Sequence, residues 1–259
     1  MAENPVIRRF ASNVATPSAI DLQKQYDQPA YTGPRPAQRF MTLDDVVQRT
    51  GAMLLTILAT GAVAWQLSGA TLQHVGPFLL IGLMGGVGLG LFMAFTGRAN
   101  APLCLTYAAC EGLLLGAVSK AFETRWHGIV IQALTGTVMV AIGMLFVYKI
   151  GAIRVTPRFT RIVIGATIGA FGLMVVNIIA SLFVSGGLGL RDGGALAILF
   201  SLACIVIAAM NLVYDFDVVE RGIRNGADHK YAWYASFGIT VTLVWLYIEI
   251  LRLLGYMRD

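Results

Sequence analysis

Residues 194–214 read GALAILFSLACIVIAAMNLVY, without a single charged side chain. About 20 consecutive apolar residues are what a helix needs to cross the ~30 Å hydrocarbon core of a bilayer. Working outward, similar runs occupy 51–70, 76–97, 101–121, 127–148, 161–185 and 235–255. Charged residues make up only 13% of the chain, against about a quarter in a water-soluble domain. Lipid offers the backbone no hydrogen bonds, so each spanning helix must satisfy its own. The sequence therefore predicts an all-α polytopic membrane protein with seven transmembrane helices, and the lipid bilayer is its first partner.

The chain divides at about residue 41. Residues 1–41 mix Pro5, Pro17, Pro29, Pro34 and Pro36 with polar residues, a composition that cannot bury enough apolar surface to order itself. They read as a disordered N-terminal tail, without the apolar core and small-residue cleavage site of a signal peptide. Residues 42–259 read as the seven-helix domain, and MTLDDVVQRT at 41–50 as a short amphipathic lead-in. Lysine and arginine gather on the cytoplasmic side of membrane proteins. Of the 19 here, only Lys120, Arg125, Arg191, Arg252 and Arg258 fall on the side opposite the tail. The N-terminus is expected in the cytoplasm and the C-terminus outside. The net charge of +5 then reflects orientation, and the scattered arginines of the tail give no basic face for nucleic acid.

Glycines predict how the bundle packs, because small residues let membrane helices approach closely. Gly82, Gly86 and Gly90, with Gly85 and Gly88, form a glycine face on the second span, and Gly165 and Gly169 repeat the pattern on the fifth. Cys104, Cys110 and Cys204 lie inside spans, while His74, His127 and His229 lie near three different loops. No zinc site or disulfide framework is expected.

An ionisable residue inside a span costs roughly 2.5–3.5 kcal/mol on insertion scales and marks a candidate site. Glu111, Asp215 and Glu249 stand out. Glu111 is expected near the midplane of the third span, neutral and hydrogen-bonded or else in a cation or proton path. Asp215 closes a stripe of small and polar residues, Ser201, Cys204, Ala208, Asn211 and Asp215, which steps of three and four place on one helix face. It is expected at the C-terminus of the sixth helix, on the cytoplasmic side. Asp217 with Arg221 and Glu220 with Arg224 have the spacing of helical ion pairs and predict an interfacial charge cluster. Glu249 is expected in the outer half of the seventh span beside Arg252, near Thr242 on its own helix and with Asn177 of the fifth span as a partner. By depth the three acids form a series along which a cation or proton could pass.

The segment NLVYDFDVVERGIRNGADHKYAWYASFGITVTLVWLYIEILRLLG at 211–255 resembles the last two helices of the Bax inhibitor-1 family, in a bacterial branch. MTLDDVVQRTG at 41–51, CEGLLLGAVS at 110–119 and YKIGAIRVTPRF at 148–159 support the resemblance. It implies a seven-helix bundle in a bacterial cytoplasmic membrane. It also implies, from some members, a pH-sensitive calcium leak in which an aspartate ending the sixth helix pairs with one in the seventh and deprotonation opens the pore. The first position matches Asp215, which makes it a calcium-ligand candidate. The second falls at about Thr242, and the arginine such members carry in the second helix has no counterpart in 76–97.

Two functions follow as expectations. One is a passive cation conduit, for calcium or protons, gated at Asp215 with Glu111 or Glu249 as acid partner. The other is a non-transporting regulator that binds membrane proteins such as a protease through its tail. No cofactor is expected beyond calcium as cargo. An enzyme is not expected, since nucleophilic catalysis needs a base within hydrogen-bond reach and no histidine falls at membrane depth.

Overall fold

The computed structural model describes Gln23 and residues 39–69, 75–184 and 186–258. Most of the expected tail, and with it His74, Ala70 and Ser185, lies outside the described residues. Seven helices follow one another: α1 (Leu43–Leu67), α2 (Val75–Thr96), α3 (Ala101–Arg125), α4 (Ile129–Lys149), α5 (Pro157–Ser181), α6 (Ala195–Arg224) and α7 (Tyr231–Tyr256). All seven are long and apolar enough to cross a membrane.

Local chemistry sets the ends of these helices. Thr42 caps α1: its hydroxyl accepts the Asp45 N–H at 3.2 Å while the Asp45 carboxylate accepts the Thr42 N–H at 3.1 Å. This reciprocal capping box starts the helix at Leu43, so the stretch read as a separate lead-in is its first two turns. Thr42→Ala is expected to lower stability by about 1 kcal/mol, read as a lower melting midpoint in detergent. Asn100 and Thr156 cap α3 and α5, each with proline in the first turn, where its missing N–H costs nothing. At the end of α6 no breaker occurs until Asn225 and Gly226, the glycine at φ +66°. The helix therefore runs on through Asp217–Arg221 and Glu220–Arg224, each paired at 2.6 Å. Its expected end at 214 moves to Arg224, and Asp215 lies well inside it.

Residues 39–41, read as the end of the tail, belong to the helical body. Met41 N–H donates to the Ala227 carbonyl at 2.8 Å and His229 N–H to the Arg39 carbonyl at 2.9 Å. The Met41 side chain is buried with Val46, Val219, Ala232 and Ile239. The cause is the α6–α7 turn, which leaves backbone groups that Arg39 and Met41 satisfy. In that turn the Asp228 carboxylate accepts the Lys230 N–H at 2.9 Å, which holds its carboxyl below the usual carboxylate range.

The helices alternate in direction, so the start of α1 lies beside the α6–α7 turn, which we call the N-terminal end of the bundle. At the opposite, C-terminal end, Arg258 reaches the His127 carbonyl and Gln132 at the α3–α4 turn. α7 is the axis and packs against α6, α1, α4 and α3, while α2 packs on α3 and α5 on α6. The tightest seam joins α1 to α3, where a methyl added to Gly116 would overlap the Gly61 carbonyl and one on Gly112 would overlap Thr60 Oγ1. Gly116→Ala is expected to cost about 1–3 kcal/mol by forcing two backbones apart, checked by thermal unfolding in detergent. The glycine face of α2 meets α3 through Gly82, Gly85, Gly86 and Gly90, whereas Gly88 faces open space. Gly165 and Gly169 on α5 also have nothing within 4 Å. The expectation of a packed glycine face on that helix is corrected: spacing shows a face, not which neighbour it meets.

Candidate functional site

The stripe on α6 turns inward. Ser201, Cys204 and Ala208 are fully buried, and Asn211 and Asp215 are half-buried. Asp215 extends across the α6–α7 seam, where its Oδ2 accepts a hydrogen bond from Thr242 Oγ1 at 2.7 Å. Gly238, one turn before Thr242, lies against this carboxylate, and a Cβ there would touch Asp215 Oδ1 at an ordinary contact distance of 3.6 Å. Asp215 thus meets α7 at Gly238 and Thr242, and Thr242 occupies the position at which the resemblance expects a second aspartate. Thr242 lies near the middle of α7, so Asp215 sits at mid-height of the bundle. The expected place at a helix C-terminus on one membrane face is corrected by the longer α6. Among the described residues no basic side chain pairs with Asp215.

One turn on, Asn211 Nδ2 donates to Thr167 Oγ1 of α5 at 2.8 Å and to the Ile207 carbonyl at 2.9 Å. Farther along, Ser201 Oγ is buried without a hydrogen-bond partner among the described residues. The seam of α5, α6 and α7 thus carries a line of polar groups from mid-height toward the C-terminal end.

That end is closed by Glu249, which is 1% exposed. Arg191, in the loop between α5 and α6, binds it in a two-pronged pair, Nη1 to Oε2 at 3.1 Å and Nη2 to Oε1 at 2.9 Å. Arg252 adds a contact to Oε1 at 3.2 Å. The pairing with Arg252 follows from sequence spacing, whereas the stronger one with Arg191 does not. Arg191 stands among Gly186, Gly187, Gly189, Gly193 and Gly194, a stretch that reads only as a helix break. Asn177, expected as a partner of Glu249, instead accepts the Leu188 N–H at 2.9 Å and ties the loop that presents Arg191 to α5. It supports the clamp without touching the acid.

Glu111 is buried on a different seam. Its carboxyl packs over Gly86, where a Cβ would meet Oε1 at 2.7 Å. Two contacts fix the register of the parallel helices α3 and α7: the Tyr107 ring lies 5.1 Å from Phe237, and Ser119 Oγ is 2.6 Å from Tyr247 Oη. By that register Glu111 stands level with about residue 240 of α7, within about one helical turn of the height of Asp215. The single file of three acids is therefore corrected: Glu111 and Asp215 share a height on separate seams, and Glu249 lies about 10 Å farther along α7. At the N-terminal end, Asp217 and Glu220 are held by Arg221 and Arg224. Tyr148 of α4, which the sequence reading missed, donates to Glu220.

Asp215 and Thr242 place a carboxylate and a hydroxyl together, and among the described residues no group of three or more His, Cys, Asp or Glu side chains gathers around a common point. A search of curated proteins gives no match. Compared with protein families, residues 4–259 match the family described as Bax inhibitor 1 like. With seven apolar helices and a match along almost its whole length, the chain belongs to the Bax inhibitor 1 like family of membrane proteins.

Proposed function

We propose that this protein is a passive cation conduit, for calcium or protons, gated by the protonation of Asp215. The observation that carries this reading is the Asp215–Thr242 contact at mid-height between α6 and α7. The Thr242 hydroxyl has one proton to donate and two acceptors in reach, Asp215 Oδ2 at 2.7 Å and the Gly238 carbonyl at 3.1 Å. When Asp215 is ionised, the hydroxyl donates to it. When Asp215 is protonated, the carboxyl donates to Thr242 Oγ1 and the threonine proton turns to Gly238. The proton thus selects between two hydrogen-bond patterns across the seam, and the ionised one leaves a negative charge there to attract a cation. The next acids on α6 do not share this role, since Arg221 and Arg224 occupy them.

Calcium takes six to eight oxygens, and Asp215 with Thr242 offers three, so a calcium ion would pass with most of its water. The reading needs no resident cofactor and no covalent chemistry. The basic residues of the tail and connecting loops favour a cytoplasmic N-terminus, in a bacterial cytoplasmic membrane by the resemblance. The test is calcium and proton flux through purified protein in liposomes across pH 5 to 8. Flux is expected to rise with pH as Asp215 loses its proton, and flux no greater than in protein-free vesicles overturns the conduit. A second reading, a regulator that binds membrane proteins through its tail, has one observation behind it. Residues 39–41 are hydrogen-bonded to the turn at the end of α6, so tension on the tail would reach the helix that carries Asp215. A partner crosslinked to the full chain and lost on removal of residues 1–38 supports it.

A further inference from the structure

A lengthwise groove of about 560 Å³ opens between α1 and α4, with α3 and α7 as its floor. That is within the ~300–1,000 Å³ of small-molecule sites. Its walls run from Leu54 to Gln66 on α1 and from Val130 to Ile142 on α4, about 18 Å at 1.5 Å per residue. It therefore extends from the C-terminal end to just past mid-height, close to the ~15 Å that one leaflet contributes to the hydrocarbon core. Small side chains hollow it, with Gly61 and Ala62 on one wall and Thr137 and Ala141 on the other. The two hydroxyls on its floor, Ser119 and Tyr247, bond each other at 2.6 Å and ask nothing of an occupant. The trough is thus apolar, and it is as long as an extended acyl chain in one leaflet.

The mouth differs in chemistry. Lys120, next to Ser119, lies with Nζ 5.0 Å from the centre of the Trp65 ring. Among the described residues no carboxylate pairs with it. Tryptophan belongs at the level of lipid headgroups, and there a lysine attracts phosphate. We propose that the groove binds one acyl chain of a membrane phospholipid whose phosphate is held at the mouth by Lys120. A free apolar molecule would leave the lysine unused, and a partner helix is too wide for a trough of this volume.

Binding of dioleoyl phosphatidylglycerol and of dioleoylglycerol, which lacks the phosphate, to the purified full chain would be compared by native mass spectrometry. One bound phospholipid is expected to survive delipidation. Lys120→Gln should weaken the phospholipid about fivefold and leave dioleoylglycerol unchanged. Val138→Trp, which fills the trough from an exposed wall position, should weaken both. Val206→Trp on the outer face of α6, also exposed, should weaken neither and serves as the control for added bulk. Equal retention in Val138→Trp and Val206→Trp would mean annular lipid only and overturn the site. Equal loss of both lipids in Lys120→Gln would overturn the phosphate contact.

Discussion

Replacing Arg191 by alanine is expected to destabilise the protein by about 3 kcal/mol, more than replacing Glu249 by glutamine. Removing one partner of a buried ion pair costs about 3–5 kcal/mol because it leaves an uncompensated charge. The two partners differ in how they can escape. Arg191 and Arg252 keep 21% and 28% of their side-chain surface exposed, whereas Glu249 keeps 1%. Without Glu249 the arginines turn toward water at the end of the bundle. Without Arg191 the carboxylate stays in place with Arg252 alone, which is what brings the cost to the lower end of that range. Arg191→Met with Glu249→Met should recover most of the loss, since a well-packed apolar pair often replaces a buried ion pair without cost. Thermal unfolding in detergent of Arg191→Met, of Glu249→Met and of the variant carrying both forms a double-mutant cycle. Additive losses would show that the clamp at the C-terminal end is not a coupled unit.

Asp215→Asn is expected to reduce cation flux roughly a hundredfold at pH 8, to the level this variant shows at pH 5. Asparagine keeps the shape of the side chain and an acceptor for Thr242, so the α6–α7 seam should stay intact. What it loses is the negative charge that offsets the cost of a cation at mid-membrane, roughly 2.5–3.5 kcal/mol, or about two decades at 1.4 kcal/mol per tenfold. Thr242→Val separates charge from coupling. It keeps the carboxylate and removes the hydroxyl that bonds it to α7, so flux should persist at pH 8 and still fall toward pH 5, where protonation removes the charge. If Thr242→Val loses flux at pH 8 as Asp215→Asn does, the charge of Asp215 is not by itself what admits the cation.

The sequence is most informative where a single helix decides the outcome. The charge-free run at 194–214 identifies α6, the three- and four-residue steps identify its buried polar stripe, and four-residue spacing pairs Asp217 with Arg221 and Glu220 with Arg224. It is least informative where two segments must meet. The clamp on Glu249 joins residues 58 positions apart, and nothing around Arg191 marks it as a ligand. Gly61 and Gly116 pack backbone to backbone, and although Gly112 and Gly116 make a four-residue glycine step on α3, the isolated Gly61 on α1 gives no sign that it is their partner. The height of Asp215 differs from the expected one because hydropathy ends a helix where charges begin, whereas α6 continues for as long as its side chains can pair with one another. Thr242 matters only because α7 turns it toward Asp215, and rotation about a helix axis follows from packing.

Gating by Asp215 is tested at its source by following the protonation of this carboxyl together with flux. The carboxyl band of Asp215, isolated by infrared difference between the wild-type protein and Asp215→Asn in the same liposomes, would be titrated from pH 5 to 8. The band is expected to disappear over the pH range in which calcium flux rises, with the same midpoint. A carboxyl whose protonation stays constant while flux switches would contradict gating by Asp215.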